Sequence, residues 1–123
     1  MPAGVIDRMI EASRAQLRVD ARRSATLAGR AARIADRVGD RERLGRSLRA
    51  QANALSVGGD SRSAVQFHDR ALALLEIHGS DADIARTLAA SIQPLILLGE
   101  YDRALAAARR ARRLYEAGKV GPL

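Results

Sequence analysis

The sequence has 123 residues, of which 47% are hydrophobic and 28% are charged, which suits one modest globular domain. Aromatic residues make up only 2%, and alanine and leucine provide most of the hydrophobic residues. This composition favours closely packed helices over β-sheets. The absence of cysteine excludes disulfides, thiolate nucleophiles and thiolate metal ligands. The longest dense apolar run, 95–98, is too short to cross a membrane, and the N-terminus lacks the apolar segment of a signal peptide. We therefore expect a cytoplasmic protein with no membrane association.

The net charge is +7, with a calculated pI of about 11.3, and residues 1–50 alone hold twelve arginines against six acidic residues. This surplus raises the question of nucleic acid as a partner. Aromatic side chains for base stacking are nearly absent, and a coding sequence rich in G and C would also favour arginine over lysine. Nucleic acid is therefore disfavoured as a partner, but it stays open as an alternative.

Helical spacing of apolar residues predicts six helices. In chain order they lie near residues 4–18, 20–38, 41–57, 60–79, 81–98 and 101–117. Asp40 and Asp60 can act as N-caps, Ser80 with Asp83 has the form of a capping box, and Gly79 is expected to end the fourth helix in a left-handed conformation. Pro94 interrupts the fifth helix, where we expect a kink rather than a break, because the apolar pattern continues to residue 98.

The second helices repeat with a period of 40 residues. Asp20, Asp60 and Glu100 are 40 apart, and the same step relates Ala31, Ala71 and Ala111. The period defines three repeats at about 4–39, 40–79 and 80–118, with short glycine turns between the two helices of the second repeat, at Gly58-Gly59, and of the third, at Gly99. Such turns require antiparallel neighbours. The sequence thus predicts an all-α fold in one domain, 1–123: a right-handed α-solenoid of three antiparallel helix pairs.

One segment carries a specific resemblance. The pattern Leu48-x3-Ala52-x2-Leu55-x3-Gly59-x4-Ala64-x6-Ala71-Leu72 resembles the tetratricopeptide repeat (TPR), in a form longer than the usual repeat of about 34 residues. Gly99-Glu100-Tyr101-Asp102-Arg103-Ala104 is similar to the family's turn into its second helix. Ile92 stands where the family prefers a small residue, and Arg8 stands where a bulky apolar residue is usual, so the first repeat is either degenerate or an N-terminal cap with a solvated outer face. The resemblance implies a scaffold that binds proteins or peptides.

The segments 52–55, 91–99 and 101–105 also resemble the helical arrays that precede caspase-like CHAT protease domains in bacteria. This narrower resemblance implies that the chain is the N-terminal part of a larger array. It does not imply protease activity here, because the protease His and Cys of those proteins lie in a later domain and this chain has no cysteine.

No residue pattern indicates catalysis. His68 and His78 are ten residues apart and cannot hold one metal together from a single helix; His68 occupies a position where the repeat places a packing residue. The acidic residues cluster at helix starts, where capping explains them. There is no nucleophile elbow and no phosphate-binding glycine loop. We expect no enzyme activity, no catalytic residue, no metal and no cofactor.

The resemblance places the first helix of each repeat on the inner, concave face of the solenoid. It implies that the partner-binding positions are Arg46, Arg49, Asn53 and Ser56 in the second repeat, and Arg86, Ala89, Gln93 and Ile96 in the third. Arg46 and Arg49 are three residues apart and are expected to point the same way. Such a face suits a peptide or protein with acidic groups.

Self-association is a further alternative to the scaffold function. The last helix carries an apolar set with no capping helix after it: Leu105, Ala108, Ala111, Leu114 and Tyr115. If this face is uncovered, another copy of the chain, as in a self-associating adaptor, could cover it.

Overall fold

The computed structural model describes residues 1–118, and these form six α-helices without a β-strand. The helices are α1 (Pro2–Gln16), α2 (Ala21–Val38), α3 (Arg41–Val57), α4 (Ser61–His78), α5 (Asp81–Leu97) and α6 (Tyr101–Glu116). Each helix packs antiparallel on the next, so the predicted helix pairs and their order are confirmed.

Acidic side chains start three of the helices. The carboxylates of Asp20, Asp40 and Asp60 each accept a hydrogen bond from the backbone N–H three residues later, at 3.0–3.1 Å. The bond from the Ser63 N–H lowers the pKa of Asp60 below its ordinary value. Ser80 has the same role in α5, where the backbone N–H of Asp83 donates to the Ser80 Oγ at 3.1 Å. These bonds satisfy donors that a helix start otherwise leaves free.

The glycines that follow the helices are required for two different reasons, backbone conformation and space. Gly39, Gly59 and Gly99 have φ of +76°, +92° and +78°, the left-handed region that favours glycine. The prediction of a left-handed stop at Gly79 is wrong, because its φ is −98°. Glycine is needed there for space: a Cβ atom on Gly79 would lie 2.8 Å from the Leu75 Cδ2 and 3.0 Å from the Leu75 carbonyl oxygen.

The first turn departs from the period of 40. Two residues separate α3 and α5 from the N-caps that follow them, but three residues, 17–19, separate α1 from Asp20. Val19 stands where the other turns have glycine, and the described residues include no non-glycine residue with positive φ. The extra residue moves α1 out of register by one. As a result Met9, rather than Arg8, packs against the core, which explains the apparent degeneracy of the first repeat.

The helices form two layers. The first helices touch in sequence, α1 on α3 and α3 on α5, and form a continuous inner layer. Long side chains link the outer helices: Asp69 on α4 pairs with Arg103 on α6 at 2.8 Å, and Glu76 pairs with Arg110. When the first helices of the repeats are in contact and the second helices are further apart, the array is curved and the first helices lie on its concave side.

Small side chains make the close packing possible. The largest fully buried side chains include Ile6, Leu75 and His68, while most of the core is alanine. The buried alanines are Ala28, Ala31, Ala32, Ala35, Ala52, Ala54, Ala64, Ala71, Ala85, Ala104, Ala107 and Ala111. In the first repeat Ser24 replaces the alanine of the other two, and it pairs with Ser13: each hydroxyl donates to the other residue's carbonyl oxygen, at 2.7 and 2.8 Å. A buried hydroxyl is tolerated there because it has a partner.

Two further expectations concern α5 and α6. The fifth helix continues through the buried Pro94 to Leu97 and does not end at Gln93.

The apolar face predicted to be uncovered on the last helix is largely turned inward: Ala111 is buried, and Leu114 and Tyr115 pack against the core. That part of the prediction is wrong, because the apolar stripe of α6 packs against its own repeat first. Of this set Leu105 remains exposed.

Candidate functional site: a cleft on the inner layer

A cleft of about 130 Å³ lies between α1 and α3 on the inner layer. Its lining combines apolar side chains, two arginines of α3, one arginine of α1 and polar groups: Ile10, Glu11, Ser13, Arg14, Leu17, Ser24, Arg46, Arg49, Ala50 and Asn53. Ser13 and Ser24 are buried and hydrogen-bonded to each other, so the groups at the surface of the cleft are the arginines, the exposed Glu11, Asn53 and the apolar side chains. A partly enclosed apolar surface with a few polar groups is the usual form of a recognition site.

The helix α3 supplies Arg46, Arg49 and Asn53 to the cleft, and these are three of the positions predicted to bind a partner. The helix α1 supplies Ile10 and Arg14, and Leu17 follows directly after its end; sequence reasoning missed these three residues. With the one-residue shift of α1, these three precede Arg49, Asn53 and Ser56 by 39 residues and occupy equivalent positions. The signal for the shift was Val19, a residue that cannot replace glycine in a turn with positive φ.

Arg46 is held toward α1. One of its guanidinium nitrogens donates to the Asp7 Oδ1 at 2.7 Å, and another lies 3.5 Å from the Glu42 Oε1. Arg43 also donates to both oxygens of Asp7, at 2.9 and 3.0 Å. The hydrogen bond from Arg43 is the main cause that lowers the pKa of Asp7, so this carboxylate stays charged at neutral pH.

Arg49 is held toward α5. Its Nη1 donates to the Asp83 carbonyl oxygen at 3.2 Å and to the Asp83 Oδ1 at 3.3 Å. The two side chains are only 18% and 13% exposed. Burial lowers the pKa of Arg49, and the Asp83 carboxylate opposes that effect. The expectation that Arg46 and Arg49 point the same way is wrong, because each contacts a carboxylate on a different neighbouring helix.

The unpaired cations on this face are different arginines. Arg14 on α1 and Arg86 on α5 are exposed, and neither forms an ion pair among residues 1–118. Arg14 lines the cleft, whereas Arg86 does not. A partner's carboxylate could thus bind Arg14 without displacing an internal one, which is not true of Arg46 or Arg49.

The other predicted positions lie outside the cleft. Ser56 and Ala89 are half-buried, and Gln93 and Ile96 are exposed on α5. The structure therefore brings together three of the eight predicted residues and leaves the other five outside the cleft, on α3 or α5.

His68 takes a packing position in α4, and it stands apart from this face. It is 1% exposed, and neither of its ring nitrogens has a hydrogen-bond partner among the described residues. Burial and, to a lesser extent, the charge of Arg49 lower the pKa of His68 to about 4. Within residues 1–118 no three His, Asp or Glu side chains come together to form a possible metal site. None of the helices in this range is long and apolar enough to span a bilayer.

The fold has a clear counterpart among solved structures. The crystal structure of the TPR domain of Arabidopsis FLU matches with a TM-score of 0.84 and 19% identity, over 95% of this chain and 99% of that one. No family model matches the sequence, and no curated protein matches it. The likeness, together with the six helices, shows that the chain has the fold of a TPR-type α-solenoid. The predicted fold class is thus confirmed, and this class of fold is the basis for the function below.

Proposed function

We propose that the protein is a non-enzymatic scaffold that binds a protein or peptide on its inner face, at the cleft between α1 and α3. The observation that carries the proposal is the unpaired Arg14 beside apolar side chains and the Asn53 amide. Arginine can hold a carboxylate with two parallel hydrogen bonds, and the amide can bond the backbone of an extended peptide. The occupant is therefore a segment with an acidic group next to an apolar side chain.

The internal ion pairs separate the residues that support the cleft from those that would contact a ligand. Arg46 and Arg49 support the shape of the cleft, because they tie α3 to α1 and to α5. Arg14 and Asn53 are the residues that would contact the ligand, with Ile10 and Leu17 as apolar contacts. The remaining predicted positions, from Ser56 to Ile96, would extend the surface toward the third repeat for a longer ligand.

A peptide-display selection followed by fluorescence anisotropy tests the proposal. Selected peptides should be enriched in Asp or Glu beside an apolar residue, and Arg14→Glu should weaken their binding at least tenfold. Arg109→Glu on α6 is the matched control, because Arg109 is also exposed and without an ion pair in the described range. Equal losses in the two variants would show that only net charge matters, and the assignment of the cleft would then be wrong.

We further propose that the module acts in the cytoplasm, without a cofactor, within a longer helical array. The resemblance of the segments 52–55, 91–99 and 101–105 to arrays that precede CHAT protease domains supports this context. The coding sequence around this segment tests it: further repeats followed by a domain with the protease His and Cys agree with the proposal, and any other neighbouring domain contradicts it.

Self-association is a second candidate function, favoured by one comparison within the chain. Val65 on α4 is 6% exposed, whereas Leu105, at the equivalent position 40 residues later, is 49% exposed. Leu97 and Tyr101 beside it are also exposed. Sedimentation velocity at rising concentration should reveal association that Leu105→Glu abolishes. The control is Ile77→Glu, an equally large change at another exposed apolar residue. A monomer at all concentrations would exclude this function.

A further inference from the structure

The arginines of the first repeat are not neutralised within the protein. None of the eight arginines in residues 1–40 forms an ion pair among the described residues, whereas seven of the twelve in 41–118 do. Both segments come from one chain with one arginine-rich composition. Codon bias can explain the number of arginines, but it cannot explain where they remain unpaired.

The cause is the direction of pairing between repeats. Two of the four acidic residues of the first repeat pair with arginines of the second: Asp7 pairs with Arg43 and Arg46, and Asp36 pairs with Arg41. The Asp40 carboxylate binds Arg43 as well. The other two, Glu11 and Asp20, form no ion pair with the arginines of α1 and α2, which are left without an ion-pair partner among the described residues, a result that the sequence alone does not reveal.

Five of these eight arginines form one stripe on α2: Arg22, Arg23, Arg30, Arg33 and Arg37. All five are exposed. At 3.6 residues per turn they fall within an arc of about 100°, and at 1.5 Å per residue they extend over roughly 22 Å of helix. We call this set the α2 arginine stripe.

The surface around the α2 arginine stripe is polar and open. A shallow groove of about 320 Å³ borders its first three arginines and is lined by Asp20, Arg22, Arg23, Thr26, Leu27 and Arg30. The apolar side chains Ala28, Ala31 and Ala35 of the same helix are buried on its opposite side. The groove has no aromatic side chain for base stacking and no large exposed apolar anchor of the kind that protein interfaces use. The partner must therefore be held mainly by charge.

We propose that the α2 arginine stripe binds the phosphate backbone of a double-stranded nucleic acid without reading its sequence. A duplex carries one negative charge per about 1.7 Å of axis, so a straight positive stripe of this length can contact four or five phosphates. Arginine suits phosphate because its planar group donates two hydrogen bonds at once. A duplex fits better than a single strand because the groove offers nothing on which unstacked bases could stack.

Fluorescence anisotropy with a labelled 20-base-pair duplex tests this proposal. The affinity should fall steeply with salt: log Kd should rise with a slope of about +4 against log salt concentration, which is a loss of about 10²–10³ in affinity between 50 and 200 mM. Substituting Arg22, Arg30 and Arg33 together with Gln should reduce the slope by about 3. A control variant substitutes Arg62, Arg86 and Arg109 with Gln; these are also exposed, and the charge change is the same. The control should keep most of the slope.

Three results would overturn the proposal. Equal losses in the two triple variants, with unchanged circular dichroism, would show that net charge rather than the α2 arginine stripe is responsible. Tighter binding of a polyglutamate chain than of the duplex would indicate an acidic protein partner. Absence of duplex binding at 50 mM salt would exclude the activity. Arg14→Glu separates this surface from the cleft, since it should leave the salt slope nearly unchanged while it abolishes peptide binding.

Discussion

Gly45 and Leu75 are in such close contact that no side chain fits between them. A Cβ atom on Gly45 would lie 2.8 Å from the Leu75 Cγ and 2.9 Å from its Cδ2. Leu75 is fully buried, so it has no free space into which to move. Glycine is a poor helix former, and its presence in the middle of α3 is explained by this close approach of α4.

We predict that Gly45→Ala destabilises the protein although alanine favours helices. The overpacked contact should cost about 1–3 kcal/mol, more than the gain of up to about 1 kcal/mol in helix propensity. The control is Gly4→Ala in α1, where no atom lies within 4 Å of the added Cβ, and which should stabilise by about 0.5–1 kcal/mol. Urea unfolding followed by circular dichroism measures both. Stabilisation by Gly45→Ala would show that the two helices separate easily.

We predict that the loss of stability caused by two Asp→Asn substitutions follows the burial of each ion pair and not the distance between its charged groups. Asp83 and Arg49 are 3.3 Å apart and mostly buried, while Asp69 and Arg103 are closer, at 2.8 Å, but 52% and 48% exposed. Asp83→Asn leaves a largely buried guanidinium without its counter-charge and should cost about 2–3 kcal/mol. Asp69→Asn should cost less than about 1 kcal/mol, because water screens an exposed pair. The same unfolding experiment compares them, and a larger effect of Asp69→Asn would contradict the argument.

We predict that His68 makes the protein less stable in mild acid. The pKa of His68 is about 4 in the folded protein, against an ordinary value of 6.5. Between these pH values the imidazole binds a proton in the unfolded chain but not in the folded protein. The contribution of His68 to the free energy of unfolding is therefore fully present above pH 6.5 and is lost as the pH falls toward 4. The shift corresponds to about 3 kcal/mol at the acid end of the window. His68→Phe should remove this component.

The free energy of unfolding at pH 7.5 and pH 5 measures the effect for each protein. The difference between the two pH values should be smaller in His68→Phe than in the wild type by about 2 kcal/mol. His78→Gln is the control, because His78 is exposed and should change nothing. The subtraction cancels any packing cost of phenylalanine, which acts equally at both pH values. An unchanged pH dependence in His68→Phe would show that His68 becomes protonated in the folded protein.

Much of the fold follows from local rules. Asp40, Asp60 and Ser80 cap helices where the sequence places them, because a side-chain oxygen next to a helix start satisfies a free amide in any surrounding. The period of 40 in the second helices predicts which alanines are buried, since equivalent positions meet equivalent neighbours. The buried His68 was predictable on the same ground.

The register of α1 was predictable only in part. Val19 shows that the first turn cannot use the glycine conformation, but the sequence does not say whether the chain adds a residue or unwinds the helix. The packed structure selects the added residue, because this places Met9 against the core and leaves Arg8 exposed. Arg14, and with it the cleft, follows from that choice.

Which charges pair across neighbouring helices was decided by the tertiary structure alone. The partners of Asp7, Arg49 and Asp69 are 34–39 residues away, and ion pairing depends on side-chain distances across helices that local patterns do not specify. The sequence determines that the chain is helical, repetitive and rich in arginine. The packing determines that Arg46 and Arg49 are occupied, and that Arg14 and the α2 arginine stripe are free, because only folding brings some carboxylates within reach of a guanidinium and leaves others too distant.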